Sequence, residues 1–238
     1  MSSDFSAYTT IDLLRLSYAG ADQENDVSYK ALWAVFARWR EGIDLEPLIE
    51  LLQSEKSGER ARGVWFLDEA DPPAELMADV VLNLAHDSMS SCRSGFLVYV
   101  TNSGLYGDAI ADRLATCLLD LDLYVRARTI FWAIVASDEK FTHFSEAVLS
   151  GAGRKSGEFH NPENTAFWRA SEQKRAVRGI EIARRLRAGE AVTSIRKTVP
   201  EEDSLVFDDL AFLDHAIKSA LERRAAKAVQ ARKNPEDG

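Results

Sequence analysis

Cysteine is nearly absent from this chain, and its scarcity excludes several classes of small protein. Cys92 and Cys117 are the only two cysteines among 238 residues. Without a CxxC spacing they provide neither a disulfide framework nor a zinc knuckle. Both fall on apolar faces of the helical sequence pattern. We therefore predict two reduced, buried thiols in a cytosolic protein.

Glycine, proline and long apolar runs are also scarce. The chain has 13 glycines and 6 prolines, and it contains no long polar low-complexity tract. No apolar run approaches the ~20 residues that a membrane-spanning helix needs. The first residues, from Met1 to Asp4, do not begin a basic segment followed by an apolar one. We therefore expect no secretory signal and a cytoplasmic location.

Sequence motifs that carry chemistry are missing as well. The 4 histidines do not have the spacing of a metal site, and there is no HExxH, GxSxG, GxGxxG or phosphate-binding loop. Asp214 and His215 are adjacent, so on a helix their side chains diverge by about 100° and cannot form a dyad. We expect no metal, no cofactor and no enzymatic activity.

Charge is abundant but unevenly distributed. The formal net charge is −9, and residues 1–150 carry 12 Lys and Arg against 24 Asp and Glu. Residues 151–238 carry 17 against 14. An acidic body disfavours nucleic acid, whose phosphates must be neutralised by cationic side chains. An acidic body favours a basic protein partner. The alternative interpretation is an acidic surface that is solvated and binds no partner.

An internal repeat of 33 residues organises the chain between residues 44 and 136. Equivalent positions carry similar side chains: Leu48, Val81 and Leu114; Arg60, Arg93 and Arg126; Val64, Leu97 and Ile130; Phe66, Tyr99 and Trp132. Apolar residues recur at intervals of three and four, which indicates helices and not strands. Such a period is typical of a solenoid, in which each unit buries its apolar face against the next.

Two stretches of this repeat resemble the HEAT-repeat family. They are the outer-helix sequence Leu48-Ile49-Glu50-Leu51-Leu52 and the inner-helix opening Asp122-x-x-Val125-Arg126. The resemblance covers residues 28–150 and implies an all-α, HEAT-like solenoid of paired antiparallel helices. It also implies that the repeated arginine bridges neighbouring repeats through an acidic residue. Asp122 stands at that acidic position, whereas the other two units have Lys56 and Met89 there.

The repeat and the segments that follow it give a domain organisation. We predict HEAT-like repeats with N-terminal capping helices over 1–150, a loop over 151–164, a C-terminal helical cap over 165–231 and a disordered tail over 232–238. The inner helices are predicted near 58–69, 91–102 and 123–136. A last helix is predicted from Ser204, with Asp203 or Ser204 as its cap. The basic helix 165–187 is interpreted as a cap with a solvated face, with contact to an anionic partner as the alternative.

An aromatic column recurs at the repeat period, formed by Trp33, Phe66, Tyr99 and Trp132. One interpretation is packing between repeats. The other is a row of anchors for a partner, because Trp, Tyr and Arg dominate binding hot spots. On that interpretation an inner groove binds the partner through Arg62, Phe66, Glu69, Tyr99, Asn102, Arg128 and Trp132.

Size, acidity and the missing chemistry together favour a non-enzymatic protein-binding function. Bacterial immunity proteins that neutralise basic toxin domains, many of them nucleases, share this profile. An adaptor or a scaffold subunit would share it too. The alternative is a HEAT-like alkylpurine DNA glycosylase, since residues 123–130 are similar to one of that family's helices. That family needs a basic concave face and an aspartate among tryptophans, for which Asp68 near Trp65 is the only stand-in.

Overall fold

The computed structural model describes residues 5–18, 26–151, 162–208, 217–219 and 222, and all regular secondary structure in these ranges is helical. The predicted all-α class is therefore confirmed. The chain divides into two compact units, Met1–Leu105 and Tyr106–Gly238, so the division falls inside the segment predicted to hold the repeats. Within the described ranges, no helix combines the length and apolarity needed to cross a bilayer.

The first unit consists of helix pairs. Its helices are α1 (Thr10–Tyr18), α2 (Asp26–Arg40), α3 (Glu46–Gln53), α4 (Ser57–Ala70), α5 (Ala74–Leu84) and α6 (Ser90–Ser103). Helix α1 packs on α2, α3 on α4, and α5 on α6. Helix α4 also packs against both α2 and α6, so these three form one layer. The largest fully buried side chains of this unit include Trp39, Phe36, Phe66 and Phe96.

The second unit contains α7 (Asp108–Leu118), α8 (Leu123–Val135), α9 (Asp138–Ser150), α10 (Pro162–Arg187), α11 (Val192–Arg196) and α12 (Glu201–Ser204). Helix α7 packs against α8 and α9, and α10 contacts all three. The predicted linker before the last helix contains α11, and helical structure resumes at Glu201, three residues before the predicted start. Most of that last helix, most of the 151–164 loop and the 232–238 tail lie outside the described residues.

The 33-residue repeat has a structural counterpart in the turns before α4, α6 and α8. These helices begin at Ser57, Ser90 and Leu123, and the residue before each has an extended backbone, with φ of −83°, −88° and −75°. In each turn a side-chain oxygen accepts a hydrogen bond from the backbone N–H two residues later. The pairs are Ser54 with Lys56 at 3.2 Å, Asp87 with Met89 at 2.9 Å and Asp120 with Asp122 at 2.9 Å. The period in the sequence thus reflects one local structure formed three times.

In the first two units the repeated arginine stabilises this turn, whereas Arg126 of the third pairs with Asp203. Arg60 Nη1 donates to the carbonyls of residues 54 and 55, at 2.8 and 3.0 Å. Arg93 Nη1 donates in the same way to residues 87 and 88, at 2.7 and 3.1 Å. Arg60 also pairs with Asp87 in the following turn, with 2.5 Å between Nε and Oδ2. The bridge between these two repeats therefore uses Asp87, not the family's acidic position, where Met89 stands.

Asp87 should make the stability of the first unit sensitive to acid. Burial tends to raise the pKa of Asp87, but hydrogen bonds from Arg60 and from the Met89 N–H, with the charge of Arg60, lower that pKa below its usual 3.8. A carboxyl group whose pKa is lower in the folded than in the unfolded chain stabilises the folded chain at pH values above the unfolded-state pKa. This stabilisation is lost as the pH falls through the folded-state pKa.

Urea unfolding between about pH 6 and pH 2 checks this expectation. The wild-type chain should lose stability more steeply below pH ~4 than Asp87→Asn, which has no carboxyl to titrate at this position. Parallel pH profiles for the two proteins would contradict the expectation, because the carboxyl would then contribute equally in the folded and unfolded chains.

Candidate partner-binding surface

Three members of the predicted aromatic column lie in the protein interior. Phe66, Tyr99 and Trp132 are only 1%, 3% and 3% exposed. The Tyr99 hydroxyl donates to the Pro72 carbonyl at 3.2 Å, and burial raises the pKa of Tyr99. Trp132 stacks on Tyr106, with 5.7 Å between ring centroids. Side chains with so little accessible surface offer no anchor to a partner, so we assign them to packing.

The polar residues predicted to surround the column are more accessible. Arg62, Glu69 and Asn102 are exposed on the neighbouring helices α4 and α6 of the first unit. Arg128 is half-buried on α8 of the second unit, where its Nη2 donates to the Tyr124 hydroxyl and its guanidinium lies 4.7 Å from the centre of the Tyr124 ring. The seven predicted residues are thus divided between the two units.

The aromatic residue that α4 presents to solvent is Trp65, which is 48% exposed. It follows Arg62 by three positions and precedes Glu69 by four, so all three lie along one side of the helix. Phe66, the predicted anchor, is the next residue along the helix, and its side chain is rotated by about 100° from that of Trp65, into the core. The equivalent positions of the other two units hold Val98 and Phe131, so the repeat itself did not distinguish this exposed ring from a buried one.

Trp65 belongs to a larger surface that we call the aromatic face, formed by Tyr29 and Trp33 of α2 and Trp65 of α4. Tyr29 is 62% and Trp33 44% exposed. The buried Phe36 ring supports the face from below, with centroids 5.7 Å from Trp33 and 6.2 Å from Trp65. Tyr29 meets Trp33 edge-on at 6.0 Å. Two packed helices therefore present three indole or phenol rings to solvent, and the two indoles rest on one buried ring.

Charged groups border the aromatic face. The Arg40 guanidinium lies 5.8 Å from the centre of the Trp33 ring and donates to the carbonyls of Glu69 and Ala70, at 3.3 and 3.1 Å. Such carbonyls at the end of a helix attract cations. The carboxylates of Asp68 and Glu69 follow Trp65 by one helical turn, and within the described ranges they have no hydrogen-bond or ion-pair partner.

The two units differ sharply in charge. Residues 1–105 carry 8 Lys and Arg against 17 Asp and Glu, whereas residues 106–238 carry 21 of each. The whole net charge of −9 therefore belongs to the unit that contains the aromatic face.

The cationic side chains of the basic helix α10 bind mainly within their own unit. Arg178 pairs with Asp203, and Arg185 pairs with Glu190 at 2.5 Å. Arg187 donates to carbonyls at the end of α8, including that of Ala136 at 2.9 Å. Arg184 pairs with Glu181 on the helix surface, at 2.6 Å. These contacts favour the capping interpretation of this helix over an anion-binding one.

A cleft of about 590 Å³ lies beside the segment that precedes α1. Arg38 crosses it, donating to the Phe5 and Tyr8 carbonyls at 3.1 and 2.7 Å and to Thr10 Oγ1 at 3.2 Å. Thr10 in turn donates to Asp44 at 2.7 Å. Because these polar groups satisfy one another, their evident role is to hold the N-terminal segment against α2.

The remaining reactive groups offer no alternative site in the described part of the chain. Cys92 and Cys117 are buried, as predicted, and are not joined in a disulfide, and burial raises the pKa of Cys92 to about 11. No three His, Cys, Asp or Glu residues in the described ranges are placed to hold a metal ion. No protein-family model matches the chain, and comparison with curated proteins and with solved structures found no significant match. Function must therefore be inferred from the chain's own residues.

Proposed function

We propose that this protein is a non-enzymatic, cytoplasmic protein-binding module, and specifically an immunity or inhibitor protein that neutralises a basic toxin domain such as a nuclease. The observation that carries this proposal is the charge of the first unit, with 17 acidic against 8 basic residues, beside a second unit with 21 of each. A field confined to one unit steers a basic partner toward that unit and speeds their encounter.

We also propose that the helix pairs stack as a HEAT-like solenoid. The support is local: the same turn precedes α4, α6 and α8, and in the first unit the pairs α3–α4 and α5–α6 pack side by side. A stack of such pairs presents a long, rigid surface, which suits a protein that binds another protein and performs no chemistry.

The proposed function is tested on basic polypeptides captured from the source cell by affinity pull-down with the full chain. Co-purification should show a complex, and stopped-flow measurements should show an association rate that falls steeply as salt rises. The reason is that exposed charges are screened beyond ~8 Å at physiological ionic strength. If the partner is a toxin, adding the protein should abolish the toxin's activity in proportion to complex formed.

Other outcomes distinguish the alternatives. Binding without inhibition of any activity would indicate an adaptor or scaffold subunit. The proposal would be contradicted if the protein bound no basic polypeptide, or if the association rate did not depend on salt concentration. Release of alkylated bases from DNA would instead establish the glycosylase alternative, and Asp68→Asn, which alters the acid beside Trp65, should then abolish that activity.

A further inference from the structure

We propose that the aromatic face, Tyr29, Trp33 and Trp65, is the docking surface of the first unit, and that its occupant is an arginine-bearing segment of a basic polypeptide. This inference rests on the proposed function and deepens it, because it names where the partner binds and which side chain the surface recognises.

The exposure and support of the three rings make this face suited to docking. Each ring is between 44% and 62% exposed, although large apolar side chains elsewhere in the same unit, such as Trp39 and Phe66, are almost fully buried. Tryptophan and tyrosine are the residues most enriched in binding hot spots. Trp33 and Trp65 are already held against Phe36, and Tyr29 against Trp33, so a partner orders few side chains when it binds.

The two carboxylates beside Trp65 give this part of the face a place for a cation. The faces of aromatic rings attract cations electrostatically, and the chain's own Arg40 already lies over Trp33. Asp68 and Glu69 lie one helical turn beyond Trp65 and lack partners in the described ranges, so a cation over Trp65 can pair with a carboxylate at the same time. The excess of acidic residues in the first unit also attracts a cationic segment at long range.

Arginine fits this combination better than lysine. Its guanidinium is planar, so it stacks on an indole ring and still presents paired N–H groups to a carboxylate. A lysine ammonium is a compact, strongly hydrated charge that gains less from the ring. Recognition at this face should therefore distinguish two side chains of equal charge.

The probe for the test is a short fluorescein-labelled peptide of alternating arginine and glycine, added to the full chain and followed by anisotropy. It should bind more tightly than the lysine–glycine peptide, and a glutamate–glycine peptide should not bind. Trp33→Ala and Trp65→Ala should each weaken the arginine peptide by about fivefold. Leu121→Ala is the control, because Leu121 is 86% exposed in the second unit and should leave affinity unchanged.

A matched pair of charge variants separates local recognition from the general field. Asp68→Asn and Asp79→Asn each remove one exposed carboxylate from the first unit. Only Asp68 lies beside Trp65, so Asp68→Asn should weaken binding several times more than Asp79→Asn. Equal effects would show that the peptide responds to net charge alone, and that outcome would overturn the inference.

A measurement on the wild-type chain tests the inference even if the variants do not fold. The 5 tryptophan indole N–H groups give separate signals in a ¹⁵N correlation spectrum, and comparison with Trp33→Ala and Trp65→Ala assigns two of them. These two signals should shift on addition of the arginine peptide, and those of the buried tryptophans should not. Unmoved Trp33 and Trp65 signals at saturating peptide would overturn the inference.

The remaining outcomes separate this inference from the proposed function. A basic partner could bind with a salt-dependent rate while Trp33→Ala and Trp65→Ala leave its affinity unchanged. In that case the proposed function stands and the docking surface is elsewhere. If no basic polypeptide binds, both fail. If a single-stranded oligonucleotide binds through Trp33 and Trp65 in place of the arginine peptide, the face stacks on bases and the assigned occupant is wrong.

Discussion

Asp203→Ala should lower the free energy of unfolding by ~3–5 kcal/mol, because it leaves two arginines without their shared counter-charge. Asp203 is 1% exposed, and its Oδ1 accepts a hydrogen bond from Arg126 Nη2 at 2.7 Å. Its other oxygen accepts one from Arg178 Nε. Arg126 is itself 6% exposed and cannot turn toward water without disturbing α8. Urea unfolding followed by circular dichroism measures the loss.

Two further variants show whether the loss comes from the buried charges. Glu202 also pairs with Arg178, at 3.3 Å, but its side chain is 73% exposed, so Glu202→Ala should cost less than ~1 kcal/mol. Replacing the three members together by Arg126→Met, Arg178→Met and Asp203→Leu should recover much of the stability, since no unpaired charge then remains. If Asp203→Ala and Glu202→Ala cost the same, the buried network does not form.

The sequence allowed the helices and the repeat to be predicted because both are patterns of burial. The equivalent positions Leu48, Val81 and Leu114 are all fully buried, and Leu97 at the centre of the middle repeat is 1% exposed. Most predicted helix ends of the repeat region lie within about two residues of those observed, which is the usual variation at frayed ends. Local periodicity was sufficient, since each helix buries the side that its apolar residues occupy.

The 33-residue period does not show which aromatic residue faces the solvent. Alignment at 33 residues shows that Trp33 and Phe66 are equivalent, but Trp33 is 44% exposed and Phe66 only 1%. The difference arises because Phe66 lies on α4, which is packed between α2 and α6, whereas α2 is the first described helix of that layer. A repeat gives equivalent positions in the sequence, and the neighbours of each helix decide how accessible they are.

Long-range polar pairs were beyond prediction for a different reason. Asp203 was predicted as a possible helix cap because its sequence surroundings are those of a helix start. The structure instead places it inside α12, where it pairs with Arg126, 77 positions earlier in the chain. Local sequence shows that an aspartate precedes an apolar stripe, but only the packing of α8, α10 and α12 shows which cations it meets.

The close approach of α4 and α6 gives a second stability prediction, centred on Gly95. A Cβ atom at this position would lie 2.2 Å from Val64 Cγ1. Valine is stiff at χ1 because it is branched at Cβ, so its methyl group cannot simply turn away. Alanine normally stabilises a helix interior by ~0.5–1 kcal/mol relative to glycine. Here the overlap should reverse that sign and cost ~1–3 kcal/mol, measured by urea unfolding.

Matched variants identify the overlap as the cause. Gly58→Ala lies in the first turn of α4, where a new Cβ has no heavy atom within 4 Å, so this variant should be neutral or slightly more stable. Val64→Ala removes the methyl groups that meet Gly95, and the double variant Gly95→Ala, Val64→Ala should therefore lose less stability than the two single losses added together. Two losses that simply add, or a Gly95→Ala variant as stable as Gly58→Ala, would show that α4 and α6 lie farther apart than described here. The close packing of the helix layer that supports the aromatic face would then have to be revised.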